Sequence, residues 1–200
     1  IDGDTLYLQG GLKVRVLGIN TPETGRGQPS QPLASEARRA VEDFFAADRQ
    51  VGLQTGSDGA DRYGRTLAHV YNRQGDNLAA HLLADGFGWL VIMSPNTRYA
   101  SCLASQRQLA RAAGRGVWSI AAYRPLDSAR LQAGDDGFRL VTGTITRVND
   151  SRNSWWLETG KLAIRIRHSD LQYFAGLEPA KLLGQTITAS GWLIDRSDSR

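Results

Sequence analysis

The stretch Arg15–Gly25, RVLGINTPETG, decides how the chain is read. With Val14 before it, it opens as a strand: Val14, Val16 and Ile19 are apolar, and Arg15 is set on the opposite face. It then stops on a polar knot, Asn20-Thr21-Pro22-Glu23. A guanidinium, an amide oxygen and a carboxylate are thus grouped within one strand and its exit, a combination that packing alone does not require.

Upstream, TLYL alternates in polarity, Gly10-Gly11 supplies a turn, and KVRVLGI returns with period two, so Thr5 to Ile19 is expected to be a hairpin. Such a hairpin carries Asp4 back towards Asn20. Downstream, GRGQPSQP is an irregular loop. From Ser35, the apolar residues Ala37, Ala40, Val41, Phe44 and Phe45 recur at helical spacing. VGLQTG and RTLAHVYN are strand candidates. NLAAHLLADG is a short helix with an asparagine cap, and a longer helix is expected from about Tyr99 to Ala113. Strands first with helices interposed point to a small five-stranded barrel carrying helices, residues 1–118.

Residues 119–136 show no firm periodicity and are read as a linker. Residues 137–200 contain FRLVTGTITRV, KLAIRIR and TITASGWLID as strands, with SDLQ (Ser169, Gln172) as a capping box opening a short helix. A second small barrel is the expectation.

Composition sets wide bounds. The 200 residues are 41% hydrophobic, enough for a core in each of two small domains. The net charge of +4 suits a polyanionic partner without demanding one. The single cysteine, Cys102, excludes an intramolecular disulfide and a cysteine-based zinc site. His69, His81 and His168 are scattered and read as structural or surface residues. No apolar run approaches the roughly 20 residues of a membrane helix. Because Ile1 reads as mid-strand, a segment upstream of it, including a signal peptide, is an expectation that leaves no trace within the chain.

The polar residues that break pattern can be assembled. DGDT contributes Asp2, Asp4 and Thr5, and the decisive stretch contributes Arg15, Asn20, Thr21 and Glu23. DRYGR contributes Asp61, Arg62, Tyr63 and Arg65 at a turn. Hard cations take carboxylate, amide and carbonyl oxygens, which Asp4, Asn20 and Thr21 offer. The planar fork of arginine matches two phosphate oxygens. Glu23 is placed to deprotonate a water. These are the parts for hydrolysing a phosphodiester.

IDGDT, VRVLGINTPE, DRYGR followed by LAHVY, and RGVW at 115–118 resemble the staphylococcal-nuclease (thermonuclease) family in order and approximate spacing. The resemblance covers about residues 1–118. It implies an OB-fold barrel with three helices, and Ca²⁺-dependent cleavage of DNA or RNA leaving 3′-phosphate and 5′-hydroxyl ends. By that resemblance Asp4 is a metal-ligand carboxylate and Thr21 a ligand through its carbonyl. Glu23 acts on the attacking water, Arg15 and Arg65 grip the scissile phosphate, and Tyr63 lies near the nucleotide phosphate; Arg62, read from DRYGR itself, is a further expected substrate contact. It also implies an extracytoplasmic, periplasmic or secreted, location.

Two departures stand out. Asn20 replaces a second aspartate ligand, which costs one negative charge and predicts weaker calcium binding or a shift to Mg²⁺ or Mn²⁺. WLVIMSPN lacks the tyrosines expected against the base, which leaves Trp89 or Tyr99 for stacking. Asn20 also keeps open a non-catalytic nucleic-acid-binding module with a degenerate metal site. A more distant alternative is a protein-interaction barrel, which predicts no basic groove around Arg15 and Arg65.

The second unit loosely resembles OB-fold nucleic-acid-binding domains. Trp155-Trp156, Trp192, Arg165 and Arg167 form either a stacking and phosphate-tracking surface or a filled core with solvated arginines.

Overall fold

The computed structural model describes residues 2–25, 27, 29–174 and 176–195. The chain divides into two units, Ile1–Ala121 and Ala122–Arg200.

In the first unit, β1 (Thr5–Tyr7) and β2 (Lys13–Val16) pair antiparallel with Thr5 opposite Arg15. Val14 and Val16 face inwards and are fully buried, so their alternation leaves Arg15 on the other face. Only Leu17 separates β2 from β3 (Gly18–Asn20), yet β3 leaves that sheet. Gly18 makes the departure possible. Its φ is +91°, and a Cβ there would lie 2.3 Å from Leu103 Cδ1.

The helix α1 (Ala34–Phe44) buries Ala34, Ala37 and Val41 at helical spacing. The strands β4 (Gly52–Ala60) and β5 (Thr66–Tyr71) follow as an antiparallel pair, and β5 lies parallel to β2. The sheet order is therefore β1-β2-β5-β4. In α2 (Leu78–Ala84) the Asn77 Oδ1 accepts from Ala80 N at 3.0 Å, as a capping asparagine should, and Leu78, Leu82 and Leu83 point inwards. Next, β6 (Trp89–Val91) pairs with β3, and α3 (Ala100–Ala112) buries Leu103 and Ala110.

One core serves both sheets: Val14, Val16, Ile19, Val70 and Leu82 belong to a single buried cluster. Burying each of these aliphatic side chains contributes about 1.5–3 kcal/mol. The expected strands are therefore arranged as a four-stranded sheet and a two-stranded ribbon joined by the bent segment 13–20. Among the described residues the ladders do not run continuously around a closed ring.

The second unit begins inside the expected linker. Following a 3₁₀ turn at Ala121–Tyr123, β7 (Leu126–Asp127) runs parallel to β8 (Gly137–Thr144). The intervening turn is anchored: Ser128 Oγ lies 2.9 Å from Thr159 Oγ1, and Leu131 is buried. A Cβ on Gly143 would stand 2.1 Å from Ser128 Oγ, so glycine there admits the turn. Residues 126–131 are thus part of the second unit's structure, because their polar and apolar groups are satisfied inside it.

A meander follows, β9 (Arg147–Ser151), β10 (Ser154–Thr159) and β11 (Leu162–Arg167), and β12 (Thr186–Leu193) returns against β8. Two three-stranded sheets result, β11-β10-β9 and β12-β8-β7, around Ile145, Leu157 and Ile166. The expected capping box does not form. His168–Tyr173 is a 3₁₀ segment without a side-chain cap, Ser169 Oγ turns to Asp170, and Gln172 Nε2 donates to Ser169 O.

Candidate active site

Asp4 stands just before β1, and its carbonyl accepts from Val16 N at 2.8 Å, which fixes it beside the end of β2. Its side chain is 3% exposed as a residue and is fully engaged. Oδ2 accepts from Thr21 N at 3.0 Å and lies 3.2 Å from Arg15 Nη2, while Oδ1 accepts from the Thr5 hydroxyl at 3.1 Å. Asp4 thereby pins the polar knot to the hairpin that precedes it.

Arg15 curls over the exit of its own strand. Its Nη1 donates to the carbonyls of Val16 and Ile19, at 2.5 and 2.7 Å, and Nη2 reaches Asn20 Oδ1 at 3.3 Å. One nitrogen is therefore shared by the Asp4 carboxylate and the Asn20 amide oxygen. Asn20 and Thr21 are buried, and Thr21 Oγ1 has no hydrogen-bond partner among the described residues.

Asp61 organises the turn between β4 and β5 by accepting from Tyr63 N, Arg65 N and Arg65 Nε at 2.9, 3.0 and 2.7 Å. Burial works upward on its pKa but is outweighed by these hydrogen bonds and the Arg65 charge, so it lies below the usual value. Arg65 is held pointing at β1, where Nη1 is 3.4 Å from Thr5 Oγ1. The hydroxyl of Thr5 joins the two halves of the site, since it donates to Asp4, which in turn holds Arg15. Both arginines and Asp4 belong to one network.

Glu23 extends from the knot with its N–H donating to Gln31 Oε1 at 2.9 Å. Partial burial of its carboxyl, a hydrogen bond shared with Asp2, and the charges of Asp2 and Asp4 push its pKa up to about 7, against the pull of Arg15. The residue as a whole is exposed, so water moderates the shift. Burial also works upward on Asp2, but hydrogen bonds from the Thr24 hydroxyl and N–H and from Glu23 outweigh it and hold Asp2 low.

Tyr63 is 67% exposed, with the guanidinium carbons of Arg62 and Arg65 at 4.8 and 5.5 Å from its ring centre. Arg62 Nη2 also donates to the Tyr63 hydroxyl at 2.6 Å. Trp89 departs from the expectation. It is 6% exposed on β6, opposite Asn20, so its ring packs inside and offers no face to a base. Tyr99 is likewise engaged, with its ring edge-to-face on His69 and its hydroxyl donating to Gln54. Arg165 and Arg167 lie in the second unit. Thr5 and Asp2 were visible in DGDT, but their roles depend on contacts with residues far along the chain.

Residues 13–120, more than half of the chain, match the family described as Staphylococcal nuclease homologue. The chain belongs to this family. Its first unit is the family's OB-fold β-barrel with helices, and its second unit lies beyond the matched residues. As a member of the staphylococcal nuclease family, it is 31% identical over 123 residues to a thermonuclease of Staphylococcus hyicus, which covers 60% of this chain and 72% of that protein. It is 32% identical over 129 residues to endonuclease YncB of Bacillus subtilis, which covers 62% of this chain and 60% of that protein. A prophage-derived endonuclease, YokF, of the same organism is 31% identical over 43% of its length. No helix among the described residues is long and apolar enough to cross a membrane.

Among the described residues no group of three or more His, Cys, Asp or Glu side chains is set to hold a metal ion. Asp4, Asn20 and Thr21, the residues expected to bind a metal, offer one carboxylate, one amide and one backbone carbonyl oxygen. These donors are all oxygens, and the buried Thr21 hydroxyl has no hydrogen-bond partner among the described residues. That chemistry fits a hard cation, with Arg15 Nη2 standing on two of the same oxygens.

Proposed function

We propose that the first unit hydrolyses phosphodiester bonds of DNA or RNA with a divalent cation, Ca²⁺, and leaves 3′-phosphate and 5′-hydroxyl ends. The observation that carries this reading is the network running from Arg15 through Asp4 and Thr5 to Arg65. Two arginine forks and a carboxylate with a raised pKa share one rim, which is the equipment for a charge-building reaction at phosphorus.

A phosphodiester carries one negative charge, and its five-coordinate transition state carries nearly two. Arg15 and Arg65 face that added charge, and each preorganised donor of this kind contributes about 3–4 kcal/mol. Glu23 takes the proton of the attacking water, a role for which a pKa near the working pH is suited and which is worth roughly 100- to 10,000-fold. Asp4 holds Arg15 and accepts from the Thr21 N–H, which fixes the peptide between Asn20 and Thr21. Arg62 and Tyr63 meet the neighbouring phosphate on the exposed rim. Asp4, Asn20 and Thr21 would hold the cation, which, when bound, supplies positive charge against the phosphate oxygens.

One specific feature favours a second reading, a binding module without catalysis: Asn20 leaves the metal position a charge short, and Arg15 covers its oxygens. Incubation with single- and double-stranded DNA and RNA, in Ca²⁺, Mg²⁺, Mn²⁺ or chelator, separates the two. Hydrolysis in Ca²⁺ that disappears in chelator and falls at least 100-fold in Glu23→Gln or Arg65→Ala supports the nuclease. Binding with no hydrolysis under any condition supports the module. The same reading carries an extracytoplasmic location, where calcium is plentiful.

A further inference from the structure

The tryptophan pair Trp155-Trp156 could not be divided on sequence grounds, and strand register divides it. In β10, Trp155 shares a face with Leu157, which is buried, and packs against Ile145, Leu157 and Ile166. Trp156 therefore points to the opposite face of the β11-β10-β9 sheet. Its cross-strand neighbours are Arg165 on β11 and Asn149 on β9. Next along that face Ser154 stands opposite Arg167.

This face is basic and open. The guanidinium of Arg165 lies 5.6 Å from the Trp156 ring centre, and its Nε donates to Ser154 Oγ at 2.8 Å, which aims the fork along the sheet. Arg152, Asn153, Arg165, Arg167, His168 and Ser169 line a groove of about 470 Å³. Arg152, Arg165 and Arg167 are exposed, and none forms an ion pair among the described residues. Three acids stand near, of which Asp170 accepts from the groove-lining Ser169 Oγ at 3.3 Å. Asp150 accepts from His168 Nε2 at 2.8 Å, and Glu158, at the far end of the face, lies 3.8 Å from Arg147 Nη1 and accepts from Asn149. Three forks without counter-ions beside a half-buried indole form a site for an anion that also carries a flat ring.

We propose that this face binds single-stranded nucleic acid, with a base stacked on Trp156 and successive phosphates held by Arg165, Arg167 and Arg152. A single strand is favoured over a duplex because only an unpaired, splayed base can reach an indole lying in a sheet. An acidic peptide would satisfy the arginines and leave Trp156 without a function. The site stands on the second unit's own residues, and the choice of nucleic acid among polyanions rests on the nuclease reading.

The test is fluorescence anisotropy of a labelled oligothymidylate with the whole chain in chelator, where no hydrolysis is expected. Trp156→Ala is expected to weaken binding roughly 5- to 150-fold, the loss of one stacked base. Trp156→Leu, which keeps apolar packing, is expected to match it. Arg165→Ala with Arg167→Ala is expected to flatten the salt dependence by about 0.7 per lost phosphate contact. Unchanged affinity in Trp156→Leu overturns the proposal, as does equal binding of polyglutamate lost in the same variants. Hydrolysis by the wild type with unaltered binding in the variants would end this proposal alone. Capture without hydrolysis in any metal would end the nuclease reading and leave this site standing.

Discussion

Replacing Asn20 by aspartate tests the metal position most directly. The amide oxygen of Asn20 is 3.3 Å from Arg15 Nη2, the same nitrogen that lies 3.2 Å from Asp4 Oδ2. In the present chain one carboxylate faces one guanidinium, so the pair is neutral and an incoming dication meets no net charge. Asn20→Asp leaves a net negative charge. With charges about 4 Å apart and an effective dielectric near 20, a new carboxylate interacts with a dication by about 8 kcal/mol, of which about 4 kcal/mol is returned when Arg15 is displaced. The remaining 4 kcal/mol is an upper bound, because the introduced carboxylate must also be desolvated at a position only 8% exposed. We expect calcium to bind Asn20→Asp at least tenfold and up to about a thousandfold more tightly, and Asn20→Leu more weakly than the natural chain. Titration calorimetry of Ca²⁺ into chelator-stripped protein gives the constant directly. Unchanged or weaker binding by Asn20→Asp would show that residue 20 is not a ligand and that the geometric reasoning is wrong.

Three further expectations follow from packing and charge. Asp4→Ala strips Arg15, whose side chain is 14% exposed, of its buried counter-ion and orphans Thr21 N. Urea unfolding in chelator should show a loss of about 3–5 kcal/mol, and a loss below about 1 would mean that Arg15 re-pairs. Gly18→Ala places a methyl against Leu103 in a left-handed backbone and should cost on the order of 1–3 kcal/mol by thermal unfolding. His69 is held below its ordinary 6.5 by burial and by the nearby Arg98 charge, so the unfolded chain takes up a proton that the folded chain refuses. Its contribution to stability is fully present above about pH 6.5 and is lost as the pH falls through that value towards the folded pKa. Since His69 Nδ1 has no hydrogen-bond partner among the described residues, His69→Phe should flatten the decline of melting temperature on the acid side, and an undiminished slope would assign the decline to other groups.

The hairpin of β1 and β2, the three helices and the polar residues on their connections follow from local rules: alternation, helical spacing, a capping asparagine and glycine turns. Those signals are short-range, and a linear reading captures them. The bend at Gly18 is different, because nothing near it in the chain reveals that Leu103 will fill the space where a Cβ would stand. The positions of Asp4, Thr5 and Arg65 along the chain suggested a shared site, yet the link through the Thr5 hydroxyl joins residues 60 apart in sequence.

Trp89 shows the reverse limit. As an aromatic near the expected base pocket it read as a stacking candidate, and only its pairing across from Asn20 places it inside. Residues 126–131 lacked periodicity because a two-residue strand is too short to show any, and their order depends on Thr159, Lys161 and the missing side chain of Gly143. The order of residues along the chain establishes which groups are available and which faces their own strands and helices present. Folding in three dimensions selects which of those faces become interior and which charges come within hydrogen-bonding reach, because burial and Coulomb interaction depend on distance through space rather than along the chain.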